Sequence, residues 1–124
     1  MLFRSETLVP GNVVAFATGG GTAGRLFRAD ADTPAFRIAG IITTGGVLGD
    51  TVEFVNAGSP GVLFASAPAA TSNGALVYLS TSAGLATLTA PSVGSVQPIG
   101  QLTGGNSVSL TPSVLLNIQF TTSL

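Results

Sequence analysis

The chain contains no histidine, cysteine, lysine or tryptophan, and few of its 124 residues are charged. Each absence removes a class of chemistry. Without cysteine there are no disulfides and no thiolate metal ligands, and the redox compartment stays open. Without histidine, lysine or cysteine, acid–base and nucleophilic catalysis fall back on five carboxylates and Tyr78. Four scattered arginines make no basic patch of the kind that neutralises phosphates, so no nucleic-acid partner is expected. No apolar run reaches the length of a membrane span, so no membrane partner is expected. The start, Met1 to Glu6, lacks the basic flank and long apolar stretch of a secretory signal.

The charge that exists is confined to Arg4, Glu6, Arg25, Arg28, Asp30, Asp32, Arg37, Asp50 and Glu53, and residues 54–124 carry none. Charged residues make up 7% of the chain, against about 25% in an ordinary soluble domain. Such a surface has little to keep copies apart. Either copies or partners cover much of it, or its 12 Ser and 15 Thr solvate it as neutral polar groups. Burial in an assembly is the preferred reading.

What is present suits an all-β fold. A length of 124 residues is one domain's worth, and 45% hydrophobic content argues for a packed core. The 17 Gly and 7 Pro punctuate the whole sequence, which favours short strands joined by turns over long helices. The clearest alternation runs from Val114 to Phe120, with Val114, Leu116, Ile118 and Phe120 on one face. The segment Asp50–Asn56 sets Val52 and Phe54 on one face in the same way. Further expected strands are 12–18, 25–29, 35–43, 62–66, 75–80, 85–89, 95–102 and 107–110. Turn signals separate them, among them Asn73-Gly74, whose residues both tolerate positive φ. Residues 65–72 hold the one plausible helical turn, weakened by Pro68. The expected fold is a small antiparallel β-barrel or sandwich in residues 11–124, preceded by an arm of residues 1–10.

An internal echo is visible. Gly11-Asn-Val-Val-Ala-Phe-Ala-Thr18 parallels Gly74-Ala-Leu-Val-Tyr-Leu-Ser-Thr81. With three extra residues in the first loop, Gly24 aligns with Gly84, Gly40 with Gly100, Thr43 with Thr103 and Gly45 with Gly105. Two pseudo-repeated β-meanders, within 11–60 and 74–120, would account for it; so would chance in a sequence this rich in Gly, Ala, Thr and Val.

Motifs that carry chemistry elsewhere are weak here. Gly19–Gly24 fits GxGxxG, but Pro34 cuts short the helix that a dinucleotide loop must open. Asp30 and Asp32 have no third carboxylate nearby in sequence, against the six to eight oxygens calcium wants. Asp50 and Glu53, three apart in a strand, point to opposite faces and make a poor acid pair. No catalytic, cofactor-binding or metal-binding residue is therefore expected. Phe16, Phe27, Phe36, Phe54, Phe64 and Phe120 are expected in the core. Tyr78 suits a core cap with its hydroxyl outward.

The residues from Ser66 to Pro91, with Gly74-Ala-Leu-Val-Tyr78-Leu-Ser80 and Gly84-Leu-Ala-Thr-Leu-Thr-Ala-Pro91, followed by Ile99-Gly100-Gln-Leu102, resemble a pattern of bacteriophage structural proteins. Phe36–Ile41 and Gly49–Phe54 fit it too, so the resemblance covers residues 36–103. It is moderately specific for virion β domains, among them capsid decoration (cement) proteins and head or tail fibre domains. Every matched position is a strand or turn residue, so the resemblance implies no catalytic site. It implies a protein located on the virion's capsid surface and assembled in the host cytoplasm, with the major capsid protein as partner and a symmetric homo-oligomer, a trimer foremost. A chain of this length without a repetitive shaft is expected to be a decoration protein. A fibre or tail-tip domain binding a host glycan or protein, and a minor capsid or tail-tube component, are the alternatives. The expected contacts are Leu2, Phe3, Arg4, Leu8 and Val9 of the arm, with Phe120 and Leu124 of the tail. The alternative, of equal weight, is that the arm forms the first strand of its own sheet.

Overall fold

The computed structural model describes residues 2–3, 7–16, 26–29, 38–46, 51–92 and 96–118. For Leu2 and Phe3 it describes the backbone. The chain is all-β, with a 3-10 turn at Ala70–Ser72 inside the segment where a helical turn was expected. Among the described residues, nine strands form two antiparallel sheets. The first holds β1 (Leu2–Phe3), β2 (Val13–Phe16), β3 (Leu26–Arg28), β4 (Ile38–Thr44) and β5 (Thr51–Val55), in the order β1-β5-β4-β2-β3. The second holds β6 (Leu76–Leu79), β7 (Ala86–Thr87), β8 (Pro98–Leu102) and β9 (Val114–Leu116), in the order β7-β6-β8-β9. A sandwich describes it.

The two sheets repeat one arrangement, strand by strand. In each, a short hairpin is followed by a crossover, so that β4 and β8 pair on the far side of β2 and β6. A sequential meander would place β3 or β7 in the middle. Those strands have only three and two residues, too few to serve two neighbours, whereas β4 and β8 have seven and five.

The register repeats as well. Val13↔Ile41, Val14↔Gly40 and Ala15↔Ile38 in the first sheet match Leu76↔Gln101, Val77↔Gly100 and Tyr78↔Pro98 in the second. A bulge falls between Val14 and Ala15, and again between Val77 and Tyr78. Even β1 has its counterpart. Leu2 pairs with Val52; in the second half, Val62 N–H donates to Pro112 O (3.0 Å), and Gly61 bridges Ser113. The stretch of sequence between β2 and β3 is longer than that between β6 and β7, as the sequence alignment requires.

Each half enters its first strand through the same turn. Asn12 N–H donates to Val9 O (3.1 Å), and Ala75 N–H to Ser72 O (3.0 Å). Gly11 and Gly74 hold φ of 94° and 92° and donate to Ile42 O and Leu102 O. Asn73 has φ −59° and ψ 136°. Asn73-Gly74 is thus a type II turn with positive φ at the glycine alone, not a two-residue hairpin. Pro10-Gly11 carries the same type II signature.

The core has two parts. Leu8, Val14, Leu26, Ala39, Ile42 and Val52 fill the inner side of the first sheet. The larger cluster joins the halves. Val13, Ala15, Ile38 and Ile41, from the other side of the first sheet, pack with Val62, Phe64, Val77, Leu79, Ile99, Leu102 and Val114 of the second half. Asn12, the one buried polar residue noted in the core, ties them further: its Oδ1 accepts from Val9 N–H (2.9 Å) and its Nδ2 donates to Gly84 O (3.2 Å).

Candidate interaction surface

The titratable side chains among the described residues are Arg28, Glu53 and Tyr78. They sit on β3, β5 and β6. Among the described residues, no three His, Cys, Asp or Glu side chains gather. The loop 19–24, Asp30, Asp32 and Asp50 lie outside the described residues. Shallow clefts occur at two places among the described residues. One of about 320 Å³ is lined by Phe64–Pro68, Ser80 and Ala86–Thr89. The other, of about 270 Å³, is lined by Pro10, Gly11, Ile42, Thr43, Pro60, Gly61 and Thr111. Neither contains a charged side chain. What the described surface offers instead is exposed apolar area, most of it in two places.

The first is the loop 106–111. Asn106 Oδ1 accepts from both Val108 N–H and Ser109 N–H (2.9 Å each), an Asx arrangement that fixes the loop's turn. Ser107 holds φ of 63°, Thr111 N–H donates to Ser109 Oγ (3.1 Å), and Phe64 N–H donates to Leu110 O (2.8 Å). On this hydrogen-bonded frame Val108 is 82% exposed and Leu110 48%. Thr111, at the end of the loop, lines the smaller cleft together with Pro10, next to exposed Val9. The loop was expected to be a strand; local side-chain acceptors satisfy its backbone instead.

The second is the outer face of the second sheet. Leu76 pairs with Gln101, and Gln101 with Leu115, so the three make one row across β6, β8 and β9. Leu76 is 50% exposed and Leu115 48%. Exposed Pro98 and half-buried Tyr78 stand beside them.

The expected contact residues divide. Leu8 is buried in the chain's own core, where it bridges Gly46, so it offers nothing to a partner. Val9 is exposed. Leu2 and Phe3 are paired along β5, so that part of the arm is a strand of its own sheet. Arg4, Phe120 and Leu124 lie outside the described residues. Among the phenylalanines, Phe64 is core, Phe27 and Phe54 are half-buried, and Phe16 is 38% exposed, edge-on to Phe54 at 5.9 Å. Phe36 lies outside the described residues. The sequence reading missed Val108 and Leu110 as surface, because alternation marks one face of a segment without saying whether anything covers it. The loop 66–73 contains no aromatic residue, and its Asn73 side chain is engaged by Gly105 N–H (2.8 Å).

No protein-family model, no curated protein and no solved structure matches the chain.

Proposed function

We propose that the chain is a structural virion protein, a capsid decoration (cement) protein that binds the outer surface of a phage head and reinforces its capsomer joints. The observation that carries this reading is the loop 106–111, which holds Val108 and Leu110 in water on a hydrogen-bonded frame. An exposed aliphatic pair on a fixed frame loses little conformational freedom on docking, and preorganisation of this kind raises affinity. The charge-free second half supports the same reading, since it presents no ionic shell to be stripped on contact. Many such weak contacts, repeated over a shell, hold through multivalency.

The test is co-sedimentation of the purified chain with undecorated capsids. Binding in a fixed ratio to the shell protein, lost in Val108→Asp/Leu110→Asp while the thermal unfolding profile stays intact, is the expected result. Failure of the unaltered chain to sediment with any capsid refutes the reading, and would turn attention to a fibre or tail-tip role.

A further inference from the structure

The internal repeat shows what covers a face like the one left bare on the second sheet. Register pairs Val13 with Leu76, Ala15 with Tyr78, Ile38 with Pro98 and Ile41 with Gln101; Val55 corresponds to Leu115. In the first half this set is the floor of the larger core: Val13, Ala15, Ile38 and Ile41 are buried, and Val55 packs against them. What buries them is the inner side of the second half, including Leu79 and Val114. In the second half Leu76, Pro98, Gln101 and Leu115 are exposed and Tyr78 is half-buried.

The opposite end also leaves apolar area in water, at two phenylalanines. Leu79 corresponds to Phe16, and Val114 to Phe54. Leu79 and Val114 are fully buried because they sit over the first half. Phe16 is 38% exposed and Phe54 half-buried, at the margin of a face whose other members, Val14, Leu26, Ile42 and Val52, are buried within the first half. Each chain therefore has one uncovered receiving face and one partly exposed aromatic margin, and the contact between its own halves shows what kind of surface covers such a face. The receiving face has no charged residue to oppose a neighbour.

We infer that the chain associates head to tail with copies of itself: the Phe16–Phe54 side of one copy seats on the Leu76–Gln101–Leu115 face of the next. Such a contact is heterologous, so it closes into a ring when its rotation permits and otherwise extends as a filament. A trimer is one such ring. The inference does not depend on capsid binding and is tested without capsids.

The experiment uses the full chain in solution. Sedimentation velocity across a wide concentration range should show assembly beyond the monomer. Leu115→Lys places an uncompensated charge in the proposed contact and should weaken self-association roughly a hundredfold or more, with the unfolding temperature unchanged because Leu115 is half exposed. Phe16→Lys should do the same from the other side. Mixed in equal amounts, the two variants should form a one-to-one dimer, since each retains the face its partner lacks. A self-complementary contact would not be rescued by mixing. If Phe16→Lys does not fold, Phe16→Cys and Leu115→Cys in this cysteine-free chain replace it: a short bismaleimide should link the two variants to each other in preference to themselves. A monomer at every concentration, an assembly indifferent to Leu115→Lys, or links formed only between like variants would each overturn the inference.

Discussion

Gly40 and Gly100 occupy equivalent places, each paired with the valine next to the bulge, Val14 and Val77. A Cβ built on Gly100 would lie inside the carbonyl oxygen of Leu115 and 2.9 Å from that carbonyl's carbon. On Gly40 it would overlap the oxygen of Val55 and stand 2.6 Å from Phe54 Cδ2. In both cases the obstacle is neighbouring-strand backbone, which cannot swing aside as a side chain tip does. The strands β4 and β5, or β8 and β9, must part. Overpacking of this kind costs about 3 kcal/mol, and alanine recovers roughly 0.7 kcal/mol by stiffening the unfolded chain. The net loss of about 2 kcal/mol lowers the unfolding temperature by roughly 8 °C in a domain of this size. Calorimetry of Gly40→Ala and Gly100→Ala, beside Gly58→Ala as a control, measures it. Gly58 has φ of 89° and nothing within 4 Å, so its variant should lose about 1 kcal/mol from backbone strain alone. Equal stability of Gly100→Ala and the parent chain would refute the β8–β9 register, and unequal losses at Gly40 and Gly100 would refute the equivalence of the halves.

Asn12→Ala leaves Val9 N–H without its side-chain acceptor in a part-buried turn and Gly84 O without the buried Asn12 Nδ2 donor, and should cost about 2 kcal/mol in urea titration. Asn12→Asp keeps that acceptor but sets a carboxylate against Gly84 O, where burial raises its pKa in the fold; the folded state then holds more protons than the unfolded one. Its stability should be highest below the ordinary aspartate range near pH 4 and fall as pH rises through the raised value, a slope that unfolding midpoints at several pH values would reveal. Ile99→Ala, fully buried between the halves, should cost about 3 kcal/mol, while Val108→Thr, on the exposed loop, should leave stability within about 0.5 kcal/mol.

Much of the fold was legible because alternation and glycine placement report on local geometry. Where expectation and structure part, a particular backbone group decides. The strand expected from Val114 to Phe120 ends at Leu116 in the structure. Asn117 N–H still donates to Ile99 O (2.8 Å), but the ladder then meets Pro98, which has no N–H to return. Residues 62–66 also alternate, and Val62 and Phe64 do donate, to Pro112 O and Leu110 O in the segment that leads into β9. Their neighbours in that ladder include Pro60 and Pro112, so the pairing stays at isolated bridges. Phe16 was expected inside because strand phenylalanines usually are; it stands at the margin of its face, where Val14 and Leu26 are buried and Phe16 itself stays 38% exposed. Period-two patterning sorts residues onto two faces, and only the tertiary arrangement says which face is covered.

That limit bears on the two halves themselves. A sheet face that has always met water should drift to polar residues, and one that meets a neighbour should stay apolar. At equivalent positions Ile41 became Gln101 and Ala15 became Tyr78, a shift toward polarity on the bare face. Gln101 even engages its own half, donating through Nε2 to Gly74 O (3.4 Å). Yet Val13 answers to Leu76 and Val55 to Leu115, larger aliphatics that flank Gln101 on either side and stand half in water. Enlarging two exposed aliphatics costs solubility and gains the isolated chain nothing in its core. The pattern fits a face that is wet before assembly and covered after it: a polar centre keeps the free chain soluble, and two flanking leucines supply apolar area when the next copy arrives.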